Sequence, residues 1–145
     1  MILYIVGVLD DGSSFRSGVP TNPRRTLHLT MGVTVQLLVQ VLLPSGVVVP
    51  LDGIGDGTQR LTLTVRLKPP YDEKLIEQDA VVYPGGEPGQ VQFNITAEDW
   101  ARFQSPGRYL WDIWLADSAH LDPVVPTSPF VVELNVGNPV LVPGT

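Results

Sequence analysis

The residues able to do chemistry are few and scattered. Two histidines occur, His28 and His120, far apart in the chain. His120 lies in DSAHLD beside Asp117 and Asp122, and imidazole with carboxylates suits several divalent ions. One His and two Asp in a polar stretch between strands are more simply a solvated loop. The DGIGDG stretch, Asp52 to Gly57, carries carboxylates at its first and fifth positions. It has none at the third and no Glu at the closing position of an EF-hand, so it reads as a flexible turn. Asp10-Asp11 reads as a turn as well. Glu98 and Asp99 are explained by the first turn of a short helix, where carboxylates complement the dipole. A paired-carboxylate hydrolase would need a second acid across a cleft from them. There is no GxSxG elbow, P-loop, GxGxxG after a strand or HExxH. The chain has no cysteine, which excludes disulfides, thiolate metal sites and cysteine nucleophiles. The expectation is a protein that is not an enzyme and holds no cofactor and no metal.

The elements that would position any site are clearer, above all in Gly89 to Phe130, which begins GQVQFNITAEDWARFQSPGRYLWDIWLAD. Val91, Phe93 and Ile95 alternate with Gln90, Gln92 and Asn94, the period of a half-buried strand. Thr96-Ala97-Glu98-Asp99 is a capping-box pattern: the Thr96 hydroxyl caps the turn while Asp99 reaches back to the Thr96 amide. Pro106-Gly107 stops the turn. Tyr109, Trp111, Ile113 and Leu115 then share the inward face of a strand, and Trp100 covers one end of the core. The opposite face pairs Arg108 and Asp112 with Leu110 and Trp114. A wet face should be polar, and tryptophan is enriched at interface hot spots, so Leu110 and Trp114 are candidate interaction residues.

Elsewhere the pattern is of short apolar runs between Gly and Pro turns. Ile2 to Leu9 lacks alternation and reads as a strand buried on both faces, inside the fold or against a neighbouring subunit. Within it, Ile2, Tyr4 and Val6 are candidate contact residues. Residues 10–26 form a long polar loop, and Arg24 and Arg25 in it are placed to pair with acidic groups on a partner. Leu27 to Leu43 is one long strand or two shorter ones, and Val47 to Leu51 closes a hairpin on it. Leu61 to Lys68 is a strand ended by Pro69-Pro70, and Ile76 to Val82 is another. Asp117 to Ser128 reads as a second long loop before a final strand from Phe130 to Val136. The tail, residues 137–145, is apolar but holds two prolines. It reads as an extended arm laid on a neighbour, with Val140, Leu141 and Val142 making the contact.

At 145 residues, one domain over 1–136 plus the arm is expected. The frequent Gly and Pro turns favour an all-β fold: an immunoglobulin-like β-sandwich of eight or nine strands, one helical turn near 97–103, and extended termini. The net charge of −6 disfavours nucleic acid and anionic membrane as partners. Met1 to Leu9 has no basic flank or cleavage site and is too short to span a bilayer. Seven Arg against two Lys, with many Pro, suit a thermostable protein.

The segments TVQLLVQVLLPSG, LTLTVRLKPP, GQVQFNITAEDW, SPGRYLWDIWL and SPFVVELNV, spread from about Thr34 to Val136, carry a family resemblance. Their order resembles the N-terminal immunoglobulin-like domain of the upper baseplate proteins of tailed phages. The matching positions determine a fold rather than a catalytic site, and the resemblance implies structural work in a virion. Baseplate proteins of that kind continue into a second region carrying receptor-binding subunits. This chain has instead an apolar first strand, a long early loop and a Pro-rich tail. That combination looks more like a capsid decoration (cement) protein made in the host cytoplasm, a homotrimer on the capsid surface that grips the major capsid protein through its arms. The alternatives are a tail or baseplate adaptor and a carbohydrate-binding sandwich in which Trp114 or Trp100 stacks on sugar rings.

Overall fold

The computed structural model describes residues 1–9, 25–86 and 89–134. The expected two-sheet sandwich is there. Its strands are β1 (Ile2–Val8), β2 (Leu27–Thr30), β3 (Val35–Leu42), β4 (Arg60–Arg66), β5 (Lys74–Asp79), β6 (Val81–Val82), β7 (Val91–Ile95), β8 (Gly107–Ala116) and β9 (Leu121–Glu133). Two short helices intervene, α1 (Gly53–Asp56) and α2 (Ala97–Trp100). A four-stranded sheet in the order β1-β3-β7-β6 packs on a five-stranded sheet in the order β2-β9-β8-β4-β5. Two pairings are parallel, β1 with β3 and β2 with β9. The segments 10–24 and 135–145 lie outside the described residues, so the early loop, Arg24 and the tail residues Val140, Leu141 and Val142 do too.

The core follows from alternation. Val35, Leu37, Val39 and Val41 face Leu61, Leu63 and Val65 across the layers, and Trp111, Ile113, Phe93 and Phe130 are buried among them. The capping box forms as expected: the Thr96 amide donates to Asp99 at 2.9 Å and its hydroxyl to the same carboxylate at 3.2 Å. Trp100 closes one end, its indole N–H donating to the Val33 carbonyl at 2.7 Å and its ring packed on Phe103 and Phe130. At the entry to β8 the Tyr109 hydroxyl donates to the Ser105 carbonyl four residues upstream, the pattern of a tyrosine corner.

Several local expectations are refined or corrected. Of the two alternatives for Leu27 to Leu43 the structure has the two shorter strands, and they lie in different sheets, because the turn at Met31–Gly32, with Gly32 at φ +87°, ends β2. Val47 to Leu51 is not a full strand, but it does close the hairpin: Val48 bridges Leu42, the Leu43 amide donates to the Val47 carbonyl and the Val49 amide to the Val41 carbonyl, each at 2.8 Å. Asp52 to Gly57 is helical over Gly53–Asp56 and ends on Gly57 in the left-handed region, where glycine carries no Cβ penalty. Ile76 to Val82 also crosses between sheets, with Ala80 buried at the switch.

The largest departure is β9. The expected loop over Asp117 to Ser128 shrinks to a tight turn at residues 117–120, and the final strand starts at Leu121 despite Pro123, Pro126 and Pro129. Proline is confined to strand edges because it cannot donate to a ladder. Within this strand, β2 pairs only with Phe130 to Glu133. Among the described residues the ladder partner of the proline-bearing half of β9 is β8, where the register shifts between Trp111 and Trp114.

Candidate functional site: an open strand edge and a polar cleft

β1 is built by a regular register. Tyr4 pairs with Leu38 and Val6 with Gln40, without interruption from Ile2 to Val8. The Leu9 amide prolongs the ladder to the Leu42 carbonyl, and the terminal ammonium donates to the Thr34 carbonyl at 3.1 Å. Ile5 and Gly7 are buried on the inner face. A Cβ on Gly7 would strike the Val124 side chain and its carbonyl, so the absence of a side chain lets β1 sit against β9. Of the two expectations for β1, burial inside the fold does not hold for the described residues, and burial against a neighbouring subunit is left to the functional reading below. The outer face of β1 is open: Ile2 is 52% exposed, Tyr4 72% and Val6 39%. β1 is also the outermost strand of its sheet among the described residues.

The row across that face runs Tyr4, Leu38, Gln92, Val81. Leu38 is only 2% exposed although it points away from the core. A Gln36 to Gln92 side-chain hydrogen bond of 2.6 Å lies beside it. The outer surface is thus apolar along β1 and amide-rich further in.

The second region is the outer face of the five-stranded sheet. Leu110 sits half-buried between Pro129 of β9 and Arg66 of β4, and Trp114 between Pro123 and Thr62. Their own sheet thus shields them in part, and Trp114 remains 37% exposed. Asp112, between them on that face, is not the wet residue its polarity suggests. Its side chain is 5% exposed and meets the Arg66 guanidinium at 3.1 Å. Thr127 donates to the same oxygen, Oδ2, at 3.4 Å, and Arg66 donates to Thr127 at 3.3 Å. Burial pushes the Asp112 carboxyl above its ordinary range, with the Arg66 charge opposing. Trp114, Asp112 and Arg66 line an open cleft of about 330 Å³.

The remaining candidates have structural places. Arg25 is held by its backbone: its carbonyl accepts the Trp111 indole N–H at 2.8 Å and its amide donates to the Ser128 hydroxyl at 2.9 Å. Asp117 Oδ1 accepts the amides of Ala119 and His120 at 2.8 and 2.7 Å, which lowers its pKa and closes the turn. The His120 imidazole lies 3.5 Å from the same oxygen, while Asp122 has moved onto β9 opposite Leu115. His28 lies 3.4 Å from Glu133 across the β2–β9 pair. Among the described residues no three His, Cys, Asp or Glu side chains gather as metal ligands, and no helix is long and apolar enough to cross a membrane.

Sequence reasoning missed the Arg66–Asp112 pair and the role of Gly7. A signal existed for each: Asp112 is flanked on its own face by Leu110 and Trp114, and Gly7 interrupts an otherwise large-residue strand.

No family model matches this chain, and no curated protein matches it. Among solved structures, the N-terminal domain of ORF48 of phage TP901-1 superposes with a TM-score of 0.49 at 13% identity, over 92% of this chain and 99% of that one. Auracyanin A, a "blue" copper protein of Chloroflexus aurantiacus, superposes with a TM-score of 0.39 at 14% identity, over 92% and 100%. The cysteine protease inhibitor EhICP2 of Entamoeba histolytica gives 0.37 at 8% identity, over 92% and 96%. None of these likenesses carries a function to this chain.

Proposed function

We propose that this chain is a non-enzymatic structural subunit of a phage virion that assembles with other protein chains through the open edge of β1. The observation that carries the reading is the row Ile2, Tyr4 and Val6, exposed on a seven-residue edge strand without a charged residue. Among the described residues no strand pairs with the outer side of β1, so the edge offers backbone groups and apolar side chains together, the combination used in β-augmentation. The phage setting rests on the sequence resemblance between Thr34 and Val136. The finer reading is a capsid decoration protein, a homotrimer bound to the major capsid protein on the capsid surface. Weak edge contacts repeated around a symmetric shell would add through avidity.

A tail or baseplate adaptor is the second reading, favoured by the family in which the resembling segments occur. A copper-carrying role, by contrast, has no support: a blue-copper site needs a cysteine thiolate, and the chain contains none.

The experiment is a double substitution, Tyr4→Lys with Val6→Lys. Light scattering on the purified chain and electron microscopy of expanded, empty capsids incubated with it supply the readouts. The expected result is loss of self-association and of particle decoration, with an unchanged circular dichroism spectrum. A variant that oligomerises and decorates like the parent overturns the edge as the assembly surface. A parent that oligomerises but ignores capsids while binding purified tails moves the subunit from the shell to the tail.

A further inference from the structure

The outer face of the five-stranded sheet carries a different kind of surface from the β1 edge, on the other layer of the sandwich. The cleft there combines three features. The first is an indole, Trp114, 37% exposed on a strand whose pairing partners, Pro123 and Thr62, hold it from both sides. The second is a buried, hydrogen-bonding charge pair one row away, Asp112 with Arg66, joined by Thr127. The third is charge compensation. Arg60 lies 3.8 Å from Asp79, Lys74 lies 2.6 Å from Glu77, and Arg66 meets both Asp112 and Asp72. The cations lining this cleft therefore each face a carboxylate, which disfavours capture of a phosphate, a sulfate or an anionic peptide.

What such a cleft can take is an uncharged ligand with one apolar face and many hydroxyls. We propose that it binds a neutral saccharide, whose C–H face stacks on Trp114 while its hydroxyls bond the Asp112–Arg66–Thr127 cluster. The volume, about 330 Å³, is at the small end of ligand clefts and suits a short, partly exposed sugar segment rather than an enclosed molecule. An aromatic platform beside a few fixed polar groups is also the usual division of labour in a ligand site.

The test is a titration of the isotope-labelled full chain with neutral tetrasaccharides of glucose, mannose, galactose, xylose and N-acetylglucosamine, read on the indole N–H signals. Trp100 and Trp111 donate to the Val33 and Arg25 carbonyls and are buried, so their signals serve as internal references. At least one sugar is expected to move the Trp114 signal saturably, at millimolar or lower concentration. Trp114→Ala, followed on backbone amides of β8, and Asp112→Asn should each weaken binding by about tenfold or more. Unchanged Trp100 and Trp111 signals in both variants report an intact fold. The proposal is overturned if no sugar moves the Trp114 signal, or if sulfated forms bind better than their neutral parents. It is also overturned if protein concentration alone moves that signal, which would make the face a contact between copies.

Discussion

β1 and β5 are both outermost strands of their sheets among the described residues, and they present opposite surfaces. β5, KLIEQD, carries Lys74, Glu77 and Asp79, all exposed, and its pairing with β4 slips by a bulge between Val65 and Arg66. Charges and bulges are how soluble proteins keep sheet edges from recruiting other chains. β1, ILYIVGV, has neither: its register with β3 is unbroken and its exposed side chains are Ile2, Tyr4 and Val6. One molecule thus holds a guarded edge and an unguarded one. Under the reading proposed above, the unguarded edge is the one that a neighbouring chain covers.

The comparison breaks most severely if β1 is unseated. Gly7→Val should cost about 1–3 kcal/mol, since the new side chain enters space held by Val124. Urea denaturation measures that loss, and hydrogen exchange should show the amides of Ile2 to Val8 opening first. Exchange protection equal to the parent would mean that β1 does not depend on its approach to β9.

Next in size is Arg66→Leu, expected to cost about 2 kcal/mol at neutral pH because it strands the Asp112 carboxylate without its cation. The sign of its pH dependence follows from Asp112, whose folded-state pKa lies above the ordinary 3.8. The folded state then holds its proton longer than the unfolded chain. The stability this group contributes is fully present below pH 3.8 and is lost as pH rises through the raised value. Without Arg66 the window widens upward, so the penalty should be largest at neutral pH and shrink as Asp112 is protonated. Asp56, Glu77 and Asp117 have lowered pKa values and act with the opposite sign. Comparing parent and variant at each pH removes the contributions of those three. A penalty independent of pH would assign the loss to packing of the arginine stem instead.

The smallest change in stability, and the sharpest test of the contrast, comes from disarming β5. Lys74→Val with Glu77→Val removes an exposed, solvent-screened ion pair and should leave the urea midpoint close to the parent's. It should nevertheless produce concentration-dependent association in sedimentation velocity, by giving β5 the character of β1. A double variant that sediments like the parent would show that edge charge is not what separates the two strands.

Much of this architecture is legible in the chain. The alternation of Val91, Phe93 and Ile95, the capping box at Thr96, and the inward set Tyr109, Trp111, Ile113 and Leu115 all lie where their spacing puts them. Candidate surface residues were legible only as types. Tyr4 and Trp114 are apolar residues at doubtful positions in the sequence, but exposure depends on neighbours that arrive from elsewhere in the chain. Leu38 shows the other side of this: it is apolar on an outward position, yet it is buried.

Periodicity, capping and the absence of cysteine are local, and they were enough to specify an all-β sandwich without thiolate chemistry. Which strands lie at the edges, and what prolines mean within them, is a matter of pairing between distant segments. Pro123, Pro126 and Pro129 signal a loop to any local reading, yet β9 accepts them because β2 pairs only with its last four residues. Asp112 likewise becomes a buried partner of Arg66 only when β4 and β8 lie side by side. A backbone ladder and a low-dielectric contact are both made between segments, and no single segment encodes the partner it will meet.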